Sequence, residues 1–91
     1  MIKSYQVRIA GRVQGVFYRA SMCDKAKELG VVGFVKNMKD GSVYAEIQGE
    51  EEIPKKMIEW SNHGPIGAKV EEIKVNEQSK KDYKNFEIRR D

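Results

Sequence analysis

The chain has a single cysteine, Cys23, and a single histidine, His63. A lone thiol excludes an intrachain disulfide framework and any zinc site of the Cys₄ or Cys₂His₂ kind. A lone imidazole excludes chemistry built on a histidine cluster, and it makes Cys23 with His63 the only Cys–His dyad available. Long apolar runs are missing too. No stretch approaches the roughly 18 residues of a spanning helix, and Met1-Ile2-Lys3-Ser4-Tyr5-Gln6 carries no apolar export region. A cytoplasmic location without a membrane partner is therefore expected. Neither sign of charge dominates. Seventeen Lys and Arg oppose 14 Asp and Glu, a net charge of +3, with the signs interspersed along the chain. That excludes a basic nucleic-acid tail and leaves a mild bias toward anionic ligands.

What is present is an ordinary globule, 40% hydrophobic and 34% charged over 91 residues. A chain of this size buries roughly 64% of its unfolded surface. One domain spanning residues 1–91 is expected, with no room for a separate cofactor domain.

Tyr5, Val7, Ile9 and Val13 alternate with polar residues, the period-2 pattern of a half-buried strand. From Arg19 the period changes: Met22, Cys23, Ala26 and Leu29 recur at helical spacing, and Gly30 stands where a helix ends. Val31 to Val35 reads as a strand, and Asp40-Gly41 as the turn into another strand of Val43, Ala45 and Ile47. A second helix is expected from Glu50 to His63, with Glu50, Glu51 and Glu52 at its positive end. Ile53, Met57 and Trp60 form its inner stripe, and Gly64-Pro65 stops it. Val70, Ile73 and Val75 mark a strand in which Glu71-Glu72 breaks the alternation, as a bulge would. Asn76 to Asp82 reads as a loop, and Phe86 and Ile88 as a short last strand. The order β-α-β-β-α-β plus a terminal strand predicts an α+β, ferredoxin-like split β-α-β fold: a mixed, largely antiparallel sheet with both helices on one face.

Gly11 to Arg19 is the most unusual segment. A glycine-containing strand-to-helix turn lets several backbone N–H groups converge, and the helix start adds positive potential; both suit a phosphate. The Gly-Lys-Ser/Thr ending of a Walker loop is missing. Arg19 falls at the helix start, where a guanidinium can take a phosphate in bidentate fashion. The plain alternative is a connector with a surface arginine. Asn37 ends the second strand. A helical crossover makes the first two strands parallel, so Arg19 and Asn37 come to the same sheet edge. With one strand between, they lie on the order of 10 Å apart. Asn before a turn also serves simply to form the turn.

Gly15-Val16-Phe17-Tyr18-Arg19 within Gly11-Arg12-Val13-Gln14, followed by Gly33-Phe34-Val35-Lys36-Asn37-Met38-Lys39-Asp40-Gly41, resembles the two motif segments of the acylphosphatases. Gly64-Pro65, Ala68-Lys69-Val70 and Phe86-Glu87-Ile88 fit the same pattern, so the likeness spans essentially the whole chain. Tyr18 stands where the family often has Phe, and Tyr44 where many members have Glu. The resemblance implies hydrolysis of acyl phosphates to a carboxylate and inorganic phosphate. It implies that the backbone N–H groups of Gly15, Val16, Phe17 and Tyr18, with Arg19, hold the phosphoryl group, and that Asn37 positions the attacking water. It further implies no metal, no cofactor and no phosphoenzyme. Elementary chemistry agrees, because a carboxylate with a conjugate-acid pKa of about 4 departs without a general acid. A loose phosphoryl-transfer transition state asks mainly for positioning and charge stabilisation. The partners expected are a small acyl phosphate and inorganic phosphate as product and inhibitor, acting on a monomer, with no nucleic acid.

Two other readings compete. Gly33-Phe34-Val35 echoes part of an RNA-recognition motif, but that motif needs two or three exposed aromatics and Lys36 and Asn37 follow instead. A non-catalytic regulatory module of the same fold is the other, and Arg19 together with Asn37 argues against it. Cys23 and Trp60 read as core, and His63, Lys80-Lys81 and Arg89-Arg90 as surface, the last four with a weak steering role for anionic substrates.

Overall fold

Val7 and Ile9 are fully buried while their neighbours are not, so β1, Ile2–Arg12, covers the core with one face. The computed structural model describes residues 1–90; Asp91, the end of the expected 1–91 domain, lies outside the described residues. The elements that follow are α1 (Tyr18–Leu29), β2 (Val32–Asn37), β3 (Val43–Glu50), α2 (Ile53–Ser61), β4 (Lys69–Gln78) and β5 (Phe86–Ile88). The sheet order is β4-β1-β3-β2-β5. β1 and β2 each pair antiparallel with β3 and hence run parallel to each other, and β5 adds parallel to β2. This is the expected ferredoxin-like α+β fold. Both helices pack on one face, where Met22 and Ala26 of α1 and Met57 of α2 close over Val7, Val35, Ala45 and Ile47.

Two boundaries differ from expectation, each for a local reason. Helix α2 is shorter than Glu50–His63. Glu50 still belongs to β3, Glu51 turns the chain at φ 50°, and both carboxylates bind the Met1 ammonium, at 3.2 and 2.5 Å, rather than the helix start. Strand β4 continues to Gln78 through residues read as loop, because Asn76 and Gln78 pair with Gln6 and Ser4. The bulge is real: Ala10 faces Glu72 and Gly11 faces Val70, leaving Glu71 unopposed.

The other sheet face is not bare. β4 and β5 occupy opposite edges, so residues 79–85 must recross the sheet. Gln48 on β3 takes both the N–H and the C=O of Lys81 (2.9 and 2.8 Å), and the Tyr83 ring sits 6.3 Å from Phe34. Under this strap lies Glu46, its side chain only 7% exposed. It accepts hydrogen bonds from Tyr44 (2.7 Å), Tyr83, Gln78 (3.1 Å) and Lys81 (3.1 Å). Burial alone pushes its carboxyl upward, but those four donors together outweigh it and hold the pKa at about 2. The same contact, after burial, raises Tyr83 to about 12. Lys81 is thus half of a part-buried ion pair, where a solvated surface lysine was expected. Arg89 is also engaged: its guanidinium lies 4.0 Å from the Phe34 ring centroid.

Candidate active site

The first helix begins without a cap. Phe17, in the Ncap position, adopts left-handed φ 64°, ψ 24° and offers no capping side chain, and no acidic residue occupies the first turn. The first helical bond runs from the Ser21 N–H to the Phe17 carbonyl at 3.0 Å. The amides before it are those a helix start leaves unmatched. Gly15 at φ 74° gives the loop a second left-handed residue. Successive reversals of this kind turn backbone N–H groups toward a common point.

A cleft of about 300 Å³ opens at this loop, near the lower end of the range for small-ligand sites. Gly15, Phe17, Tyr18 and Arg19 line one side, and Ile88 and Arg90 another. Gly15, Phe17, Tyr18 and Arg19 thus lie around one cleft, and Val16 is not among its lining residues. Tyr18 lines it through its backbone, because its ring is 1% exposed and points into the core. Its hydroxyl donates to the Ser61 carbonyl at 2.6 Å, and its ring meets Trp60 at 5.7 Å. Helix α2 thus anchors the first residue of α1 from behind. Burial pushes the Tyr18 phenol well above its ordinary range, so it stays a neutral donor. Trp60, expected in the core, is only partly buried against that core.

Asn37 is not among the residues lining the cleft, yet the register locates it. Ile9, Val43 and Asn37 form one row across β1, β3 and β2. Directly paired residues share a face, so Asn37 projects to the helix side beside the β1–α1 loop. Two strand spacings, about 10 Å, separate its backbone from β1. Its Oδ1 is buried and accepts no hydrogen bond, a state that costs about 1–3 kcal/mol when nothing fills the role. The loop and this strand end are physically tied. Gln14 Nε2 donates to both the Met38 and the Ser42 carbonyls at 2.8 Å. Beyond it, Asp40 accepts from the Ser42 N–H (2.9 Å) and hydroxyl (2.6 Å) and pairs with Arg8 at 3.1 Å. The Ser42 bonds, with Arg8 adding less, hold its carboxyl below the usual range.

Two residues placed around this loop were not marked out by the sequence. In the sequence Gln14 is only one residue of the Gly11–Arg19 segment, since polarity does not reveal which carbonyls an amide will reach. Arg90 is exposed, as read, and because the strand Phe86–Ile88 runs parallel to β2 it is delivered to the same edge as Asn37, where it lines the cleft.

Fold and cleft together define a small ferredoxin-like α+β protein with a cleft at its first strand-to-helix turn. The acylphosphatase family profile matches residues 5–88. An acylphosphatase of Acaryochloris marina is 46% identical over 82 residues, 90% of this chain and 88% of that protein. The solved acylphosphatase of Coxiella burnetii superposes with TM-score 0.93 at 36% identity, covering 97% of this chain and 93% of that one. That of Bacillus subtilis gives 0.93 at 32% identity, covering 99% and 100%. The chain belongs to the acylphosphatase family. It is a hydrolase that splits the mixed anhydride of acyl phosphates, small-molecule substrates, and no helix among the described residues is long and apolar enough to cross a membrane.

Proposed function

We propose that the Gly15–Tyr18 amides and Arg19 hold the phosphoryl group while Asn37 orients the water that attacks it. The observation that carries this reading is Asn37: a buried, unpartnered acceptor set two strands from an uncapped helix start and tied to it through Gln14. The Asn37 oxygen would accept a hydrogen bond from the water and its NH₂ would donate one to a phosphoryl oxygen, both water protons ending on the phosphate product. The water oxygen bonds to phosphorus, the bridging P–O bond breaks, and its electrons leave with the carboxylate. That leaving group needs no protonation, so neither a general acid nor a metal is called for. The developing charge on the equatorial oxygens falls to Arg19 and the fixed amide dipoles. Inorganic phosphate, the product, occupies the same cradle and competes with substrate. The chain works as one domain, a monomer in the cytoplasm. The RNA-binding alternative lacks its platform, because Phe34 is 7% exposed beneath Tyr44, Tyr83 and Arg89.

The test is phosphate inhibition. Arg19→Ala should weaken it strongly and Arg19→Lys should not restore it, since a point charge cannot reproduce the two-pronged fork. Unchanged inhibition in Arg19→Ala would move the phosphoryl site elsewhere.

A further inference from the structure

The cleft holds two guanidinium-bearing side chains, Arg19 and Arg90. Two other arginines are neutralised locally: Arg8 pairs with Asp40 at 3.1 Å and Arg89 with Glu87 at 2.8 Å. Among the described residues, neither Arg19 nor Arg90 has a carboxylate within ion-pair distance. Two like charges facing one small cleft repel each other, and a ligand with two separated negative charges relieves that repulsion.

Arg90 is held there by the residue before it. The Arg89 N–H donates to the Val35 carbonyl at 2.9 Å, extending the β5 pairing one residue past Ile88. The Arg89 guanidinium then lies over Phe34 on the strap-covered face of the sheet. Because side chains alternate along extended chain, Ile88 and Arg90 point the other way, toward the helices and the cleft. The wall they join is partly apolar: Phe17 is 82% exposed and Ile88 36% exposed, with Ala20 alongside. An apolar wall ending in a cation is a mismatch for a phosphoryl group. It matches the acyl half of a substrate that has a hydrocarbon body and an anionic end.

We propose that Arg90 is a specificity-determining residue that binds a second anionic group, typically a carboxylate, on the acyl portion. The preferred substrates are then acyl phosphates of dibasic acids. This rests on the assignment of the phosphoryl group to the Gly15–Arg19 cradle.

The probes are 3- and 4-carboxybenzoyl phosphates against the methylbenzoyl phosphates of matched size, whose rigid rings prevent attack by the second carboxylate. The quantity read is the ratio of kcat/KM, carboxylated over methylated, for each enzyme form. At low ionic strength Arg90→Gln should lower that ratio about fivefold, as fits one exposed charge pair, through KM rather than kcat. Arg90→Glu should lower it further. In the wild type, salt at about 1 M, where the Debye length is about 3 Å, should bring the ratio down to the Arg90→Gln value. A ratio unchanged in both variants would overturn the proposal. So would an equal loss on both substrate types accompanied by weaker phosphate inhibition, which would put Arg90 on the phosphoryl group. Phosphate inhibition in Arg19→Ala is read in parallel. If it is lost while the Arg90 ratios do not move, the cradle stands and the role of Arg90 falls.

Discussion

Glu46→Gln isolates the part of acid stability that comes from the strap. In the folded chain the Glu46 carboxyl titrates near pH 2, against an ordinary value of 4.5. A folded pKa below the unfolded one means stability present above the unfolded value and lost as pH falls through the folded one. Two and a half units correspond to about 3 kcal/mol at neutral pH, a large share of the 5–15 kcal/mol typical of a domain. The carboxylate is 7% exposed, so solvent screening removes little of this. About 2 kcal/mol should be gone by pH 3, and most of the rest as pH falls from 3 through 2. The glutamine keeps the shape and loses the charge. It should unfold about 3 kcal/mol more easily in urea at pH 7, and lose about 2 kcal/mol less than wild type between pH 7 and pH 3. Parallel pH curves for the two proteins would refute the assignment, because Asp40 and Glu51, whose pKa values are also lowered, are common to both.

Gln14→Ala removes the donor shared by the Met38 and Ser42 carbonyls; two neutral hydrogen bonds predict a loss of about 1–2 kcal/mol in urea melts. Because this tether joins the loop to the strand that ends at Asn37, turnover of the folded enzyme should fall several-fold as well, and a normal kcat would mean that it does not align the two halves. Gly33→Ala should cost stability alone, about 2–4 kcal/mol. Gly33 sits at φ 137° with the Glu46 carbonyl 1.9 Å from where a Cβ would lie, and chemical denaturation of Gly33→Ala would show an error here as a wild-type midpoint.

The half of the molecule that carries the site was legible because its logic is local. Val7 and Ile9 give β1, Met22 and Ala26 give α1, and the right-handed crossover makes β1 and β2 parallel, which alone brings Arg19 and Asn37 to one edge. The strap is a different matter. Tyr44, Glu46 and Gln48 alternate with Val43, Ala45 and Ile47 as a solvent-facing row would. They are covered because β4 and β5 end on opposite edges and the chain must cross back. Lys81 therefore looked solvated, and only the strand order assigns it to Glu46. Glu50 and Glu51 misled for a similar reason: their cationic partner is Met1, 49 and 50 residues away, and the nearby helix start is not what they serve.

Asn37→Ala, measured for kcat on benzoyl phosphate and for inorganic phosphate affinity in one preparation, tests the water-positioning role of Asn37 most directly. Asn37 is neutral and adds little to the attraction for a dianion already held by Arg19 and the loop amides. Its removal should leave phosphate affinity within a few-fold and reduce kcat by about 10²-fold, about 2.7 kcal/mol of transition-state stabilisation. A side chain that merely formed the turn after β2 would instead lower the melting temperature and leave turnover of the folded enzyme nearly normal. A well-folded Asn37→Ala protein with wild-type kcat would contradict the account.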